Sequence, residues 1–244
     1  MINLPVAIVI VLVESFLLGS IPFGYIVGKV GYGRDPRDGG SHSIGMTNIN
    51  RLFGAKAAAV TFACDVGKGA LASGIAHAVL GVTLCSGAIA HDAVLVCAVL
   101  GAVLGHVYCP WLGFKGGKGV SVGFGSVLAA FPVVCLCICI FFAIFALATK
   151  TISAGSIAAA VTFPVFCCIL HWGSWVLIAV SIVAAVAVVY AHRGNIRRLM
   201  NGTEPKFTVN THDGPKDGGG SSEGSDETGE GSGQESGGSA EAEA

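Results

Sequence analysis

Charge is scarce in this sequence. Asp, Glu, Lys and Arg make up 12% of its 244 residues, about half the roughly 25% of an ordinary soluble protein, while 53% are apolar. That excludes a water-soluble globule. Acidic residues are scarcer still before residue 201, where five stand against twelve Lys and Arg, a formal +7; residues 201–244 hold ten acidic and two basic residues, a formal −8. The net charge of −1 therefore conceals two unlike segments. A Gly, Ser and Glu-rich stretch with almost no apolar residues cannot offset its ordering entropy, so 204–244 is expected to be a disordered acidic tail behind a membrane domain of residues 1–203.

Other absences narrow the class further. The N-terminal apolar segment has no basic leader and no small-residue cleavage pattern, which predicts a retained helix rather than a signal peptide. Nine cysteines include no C-x-x-C pair, and Cys135, Cys137 and Cys139 alternate around a helix in a way that does not suit tetrahedral zinc. They read as small buried hydrophobes, and no metal is expected.

A spanning helix needs about 20 apolar residues, fewer where it is kinked or packed within protein. Seven stretches qualify: Leu4–Gly28, Ala55–Ala76, Ala90–Tyr108, Gly119–Ala130, Phe131–Thr149, Ser153–Leu170 and Ser174–Ala191. The fourth is the shortest. Pro132 marks its boundary with the fifth, because proline cannot continue a helix without losing a hydrogen bond. The expected fold is thus an all-α integral membrane protein of seven transmembrane helices. Lys and Arg are retained on the cytoplasmic side, and they occupy the loops at 29–54, 109–118, 150–152 and after 192, whereas those at 77–89 and 171–173 hold none. This places the N-terminus outside and the C-terminus in the cytoplasm. Within the spans, Asp65 and Lys68 lie three apart on one helix face and are expected to pair as buried support. Glu14 falls near mid-membrane, where a protonated carboxyl facing the bundle is expected.

The chemistry lies in three segments on the cytoplasmic side. The first reads GRDPRDGGSHSIGMTNINR (Gly33–Arg51), the second LGHVYCPWLGFKGGKGVSVGFG (Leu104–Gly125) and the third HRGNIRRLMNGTE (His192–Glu204). Glycine brings backbone N–H groups close to a ligand, and successive N–H groups form an anion-binding concavity; Arg51, Lys115 and Lys118 would add full charges. Phosphate binding is the chemistry this suits. A nucleotide P-loop is excluded, because Leu112 stands where its first glycine belongs and Gly119 follows Lys118 in place of Ser or Thr. A bland reading also stands: FKGGKG as a basic turn attracted to anionic headgroups, and His192 as an interfacial residue at a helix end. The functional reading makes His192 a base or hydroxyl orienter and Asn195 an amide donor.

Taken together, GSIPFGYIVGK (Gly19–Lys29), the Ser and Gly-rich loop to Thr47, Asn48 and Arg51, D-x-x-K-G (Asp65–Gly69), GH with FKGGKG (Gly105–Gly119) and H-x-x-N to G-x-E (His192–Glu204) resemble the PlsY-type acyl-phosphate glycerol-3-phosphate acyltransferases. The likeness spans most of residues 15–206. It implies a seven-helix enzyme of the bacterial cell membrane, active on its cytoplasmic face, that moves an acyl chain from acyl phosphate to sn-glycerol 3-phosphate. The products are lysophosphatidic acid and phosphate, in the first acylation step of phospholipid synthesis. Carried over by residue, Ser41, Arg51, His192 and Asn195 are the implied catalytic group. Thr47, Asn48, Lys115, Gly116, Gly117, Lys118 and Gly119 are implied phosphate contacts, with Ser153 and Ser156 as a secondary polar patch. Asp65, Lys68, His106 and Glu204 are implied supports. No cofactor and no nucleic acid are expected, the partners being the two substrates and the lipid bilayer, and the oligomeric state stays open. This chain departs from the family pattern G-S-G-N-I-G, reading His42 and Ser43 in place of the Gly at its third position and the Asn.

Two other readings compete. A transporter or flippase for a phosphorylated metabolite would also want a cationic cytoplasmic loop, but usually carries an internal repeat, and none is visible. A membrane scaffold recruiting basic partners through its acidic tail would leave the three polar segments without a role.

Overall fold

A computed structural model describes residues 2–83 and 87–207; Met1, Cys85 and the acidic tail beyond Phe207 lie outside the described residues. The described chain is helical: α1 Leu4–Ser20, α2 Phe23–Ile26, α3 Met46–Phe53, α4 Ala55–Gly81, α5 Ala88–Val107, α6 Val120–Ala130, α7 Pro132–Thr149, α8 Ile152–Leu170, α9 Trp175–Ala191 and α10 Arg193–Met200. Its only extended pairing is a bridge between Ile2 and Thr83.

Six of the seven apolar stretches each form one helix, and Pro132 opens α7 at the position where a missing N–H costs least. Four helical segments are long and apolar enough to cross a membrane: Leu4–Gly31, Ala88–Leu112, Pro132–Thr149 and Ile152–Leu170; α9 with α10 makes a fifth, bent by 60°. Of the other two, α4 has 27 residues but carries Lys56, Asp65 and Lys68, and α6 has only 11 residues. Large apolar side chains such as Val13, Leu136, Leu147, Ile169 and Val186 are exposed, as lipid contact requires. The largest core, including Val11, Ala76, Leu95, Val99, Val127, Val134, Phe163 and Leu177, draws on α1, α4, α5, α6, α7, α8 and α9.

The first span is not one helix to Gly28. It stops at Ser20 because Pro22 lacks an N–H and pushes Ile21 to an extended conformation, φ −60° and ψ 117°; it resumes at Phe23 and ends in a π-turn over Val27–Gly31. The break is put to use. The Ile21 carbonyl accepts a hydrogen bond from Lys68 Nζ at 2.7 Å, and that of Ser20 accepts one from Cys109 Sγ at 3.1 Å. Below the break α1 and α5 approach so closely that a Cβ at Gly105 would run into the Phe16 carbonyl.

Glu14 is half-buried, with Ser15 Oγ donating to Oε2 at 2.9 Å while Oε1 is buried without a partner. It lines an apolar groove with Val9, Val13, Leu17 and Ile75, not the cavity described next.

Candidate active site

At one end of the bundle, the loop leading to α3, the starts of α6 and α8 and the end of α9 surround a cavity of about 460 Å³. Ser41, Thr47, Asn48, Arg51, Asp65, His106, Lys118, Gly119, Ser153, Ser156, His192, Asn195 and Glu204 line it. Segments as far apart in sequence as those of Ser41 and Glu204 thus converge on one space. Lys68, Lys115, Gly116 and Gly117 do not line it.

The first wall is shaped by a side chain. Asn48 is 1% exposed on α3; its Oδ1 accepts from the Ser41 N–H at 2.7 Å, and its Nδ2 donates to the carbonyls of Pro36 and Ser43, both at 2.8 Å, and of Gly39 at 3.3 Å. Its amide is therefore committed to folding the loop. Asn48 still lines the cavity, beside Ser41, Ser43, Thr47, Asn50 and Arg51, which are the other polar side chains of this wall. His42 sits at φ +53°, in the left-handed region that glycine enters freely and that His tolerates better than most residues. Its exposed ring bonds through Nδ1 to the Arg37 carbonyl at 2.8 Å and does not line the cavity. The Ser43 hydroxyl accepts from the Gly45 N–H at 3.2 Å.

The second wall is shaped by backbone. A helix end leaves its last four carbonyls unpaired, and the chain after α5 folds back to satisfy them: the Gly116 N–H donates to Val107 O at 3.1 Å and the Gly117 N–H to His106 O at 3.0 Å. These amides are spent, so the expected phosphate cradle of Gly116 and Gly117 is not formed. The glycines are needed for another reason. A Cβ at Gly116 would collide with the His106 carbonyl, and one at Gly117 with the His106 ring. Lys115 is exposed on the outer side of this turn. Lys118 points the other way, and burial, followed by the charges of Arg198 and Arg51 against the opposing pull of Glu204, brings its ammonium down to about 8. Gly119, at φ +79°, then starts α6, whose first turn has no side-chain cap. Uncapped helix N–H groups beside a lysine suit an anion.

Beneath this turn, Lys68 Nζ lies 2.7 Å from Asp65 Oδ1 and 3.0 Å from His106 Nδ1. The expected pair is formed, with His106 as a third member and the Ile21 carbonyl as a fourth. Asp65 and His106 reach the cavity from this buried network.

The third wall follows α9. His192 is 1% exposed, and its Nδ1 lies 2.8 Å from Val188 O; a carbonyl only accepts, so Nδ1 carries the proton and Nε2 is left as an acceptor. Burial, assisted by the Lys118 charge, pushes the imidazole down to about 4 despite the Val188 bond and Glu204. The ring is thus neutral near pH 7. Glu204 is the anchor of this wall: Oε1 accepts from Ser153 Oγ at 2.8 Å and Asn195 Nδ2 at 2.6 Å, and Oε2 from Arg198 Nε at 2.7 Å. Burial raises its carboxyl, but these three donors together hold it below the usual range. Ser156 donates to its own helix at Ile152 O, 2.9 Å. The Phe207 N–H donates to Lys150 O at 2.9 Å, so residues 204–207 close one side of the cavity, beyond the domain boundary expected at 203.

Arg198, Ser121, Lys206 and Phe207 also line the cavity and were not among the expected residues. Arg198 had a signal, since it lies three residues after Asn195 on one helix face; the other three had none. Below the polar cavity is an apolar pocket of about 310 Å³ between α4, α5, α6, α7, α8 and α9. Phe62, Val120, Ser121, Phe142 and Ser156 line both spaces. A cationic chamber opening into an apolar one fits an amphiphile with an anionic head.

Comparison with known proteins agrees with this geometry. The family model described as glycerol-3-phosphate acyltransferase matches residues 9–202. A glycerol-3-phosphate acyltransferase of Synechococcus sp. (strain CC9902) is 42% identical over 199 residues, covering 81% of this chain and 94% of the relative. One of Fusobacterium nucleatum is 38% identical over 196 residues, covering 80% and 96%. Among solved structures, PlsY, an integral membrane glycerol 3-phosphate acyltransferase, superposes in its glycerol 3-phosphate form with a TM-score of 0.73 at 32% identity, covering 83% of this chain and 96% of PlsY. Its lysophosphatidic acid form gives 0.69 at 31% identity, with the same coverage. The chain therefore belongs to the glycerol-3-phosphate acyltransferase family and is an integral membrane protein.

Proposed function

We propose that the chain transfers an acyl group from acyl phosphate to the C1 hydroxyl of glycerol 3-phosphate, releasing lysophosphatidic acid and phosphate. The observation that carries this is the joining of a cationic cavity to an apolar pocket through shared residues: phosphates belong in the first, the acyl chain in the second, and the reacting carbonyl between them. A transporter reading finds no support in the named relatives.

Acyl phosphate is a mixed anhydride with a good leaving group, so positioning and charge stabilisation suffice. Arg51, Thr47 and Ser41 hold one phosphate; Lys118 and the first turn of α6 hold the other. The neutral His192 accepts the acceptor hydroxyl's hydrogen bond at Nε2 and aims its oxygen at the carbonyl carbon. As the new C–O bond forms, the bond from the carbonyl carbon to phosphate oxygen breaks, and the leaving phosphate takes the proton. It is a stronger base than an imidazole held near 4. Asn195, fixed by Glu204, keeps a second N–H for the substrate.

In the bilayer, α1 with α2, then α4, α5, α6, α7, α8 and α9 make seven crossings. The polar residues of α4 are tolerated because Asp65, Lys68 and His106 partner one another, and the short α6 lies against α4 and α5 rather than alone in lipid. The basic loops favour the cytoplasmic face of the cell membrane for the cavity, with the N-terminus outside.

The test is phosphate release by the purified protein in detergent, given palmitoyl phosphate with and without glycerol 3-phosphate. Acceptor-dependent release with lysophosphatidic acid as product is expected. A folded preparation inert toward acyl phosphate would overturn the reading.

A further inference from the structure

We infer that Phe163 and Ile138 form the floor of the acyl pocket and set which acyl-chain lengths the protein uses, an inference that rests on the acyl-transfer reading above. The pocket is entered at the neck it shares with the polar cavity, at Ser121 of α6, Phe142 of α7 and Ser156 of α8. From there it runs toward the bundle centre, along α8 from Ser156 to Phe163 and along α7 from Phe142 to Ile138. At 1.5 Å of rise per residue, the stretch of α8 corresponds to roughly 10 Å of depth.

The far end is solid protein. Phe163 is 5% and Ile138 8% exposed, and both belong to the largest hydrophobic core, alongside Val134 and Leu177. The walls formed by two of the helices are small, with Ala159 and Ala160 on α8 and Ala184 and Ala185 on α9, while Val99, Val103 and Phe124 line the facing side. Small walls with a large, packed floor make a slot of limited depth. An alkyl chain gains by filling it, but a carbon beyond the floor must displace a close-packed side chain or leave the pocket. Each methylene that gains or loses burial changes transfer by about 0.8 kcal/mol, or about fourfold in kcat/KM.

The experiment compares decanoyl, lauroyl, myristoyl, palmitoyl and stearoyl phosphate as donors for the purified full-length chain, with glycerol 3-phosphate as acceptor. Phe163→Ala, or the milder Phe163→Leu if alanine unfolds the bundle, is expected to move the kcat/KM optimum toward longer donors, by about fourfold for each methylene newly accommodated. Ala184→Leu is expected to move it the opposite way. Opposite shifts with the KM for glycerol 3-phosphate unchanged support the floor. Length profiles that superimpose on wild type in folded variants overturn it and mean that the distal chain leaves into the bilayer. Failure of the wild type to use any of the five donors overturns the acyl-transfer reading itself, and the floor with it.

Discussion

Two glycine-rich segments reach the same cavity and are held in opposite ways. Residues 39–45 are tied by one side chain, Asn48, which bonds four backbone groups of its own loop. Residues 113–119 are tied by backbone to backbone, the amides of Gly116 and Gly117 turned onto the last carbonyls of α5, with these two glycines needed so that the chain can lie against His106. A run of glycines and lysines therefore does not by itself make an amide cradle; what decides is where each N–H finds its acceptor. In the first loop a polar side chain is the vulnerable part. In the second it is the absence of side chains.

Asn48→Ala breaks the first loop most severely. It leaves the Ser41 N–H and the Pro36 and Ser43 carbonyls without their partner, at about 1–3 kcal/mol for each group that stays buried. Acceptor-dependent turnover should fall below detection, and thermal unfolding in detergent should show the largest drop of any single substitution considered. Asn48→Asp, which keeps the acceptor for Ser41 alone, should fall between. An Asn48→Ala variant that melts and turns over like wild type would show that the loop does not depend on this amide.

In the second segment the matching change is Gly117→Ala. The added methyl meets the His106 ring, an overpacking worth about 1–3 kcal/mol, and a shift of about 1 Å in the neighbouring Lys118 costs roughly 10²-fold in rate. The expected outcome is a smaller loss of stability than for Asn48→Ala, with a rate loss of about that size measured as kcat/KM for acyl phosphate. Lys115→Ala serves as the contrast, because Lys115 is exposed outside the cavity and surface changes stay within about 0.5 kcal/mol. Equal losses at 115 and 117 would dissolve the distinction drawn for this turn.

Lys118 gives the comparison a pH dependence. With its ammonium brought down to about 8, mainly by burial, the charge is present below that pH and lost above it. The anion site should therefore weaken as pH rises through 8, and kcat/KM, which reports the free enzyme, should fall on the alkaline side. Lys118→Arg keeps its charge there and should flatten that limb, even if absolute activity drops several-fold. The same alkaline fall in Lys118→Arg would assign it to another group.

What the sequence made legible follows from range. Long apolar runs report burial from water directly, so six of the seven expected stretches each form one helix where hydropathy puts them, and Pro132 marks the α6 to α7 boundary as expected. The break at Ile21–Pro22 was hidden because the apolar run continues through it, and the interruption is stabilised by Lys68, 47 residues away in sequence. Helix α3 was obscured by the Gly and Ser around it. At the site, residue types pointed to phosphate, but the partner of each N–H depends on how the chain returns. That is why the framework bonds of Asn48, Gly116 and Gly117 were not legible in the sequence, and why Arg198 passed unnoticed although Glu204 folds back onto it.

Among the changes within the first loop, the smallest effect belongs to the residue that departs most visibly from the family pattern. His42 occupies a left-handed position, φ +53°, where a residue with a Cβ is strained by about 1–2 kcal/mol relative to glycine. Against this, its ring bonds the Arg37 carbonyl at 2.8 Å, worth about 1 kcal/mol, and glycine would cost about 0.5–1 kcal/mol in chain entropy. These terms nearly cancel, so His42→Gly should shift stability by less than about 1 kcal/mol and leave the KM for glycerol 3-phosphate within about twofold. His42→Val keeps the strain, adds a β-branched clash and loses the ring nitrogen, so it should be clearly destabilised. If His42→Gly instead abolished turnover while melting normally, the ring would have to reach the substrate, and the first loop would be held from outside the cavity as well as by Asn48 within it.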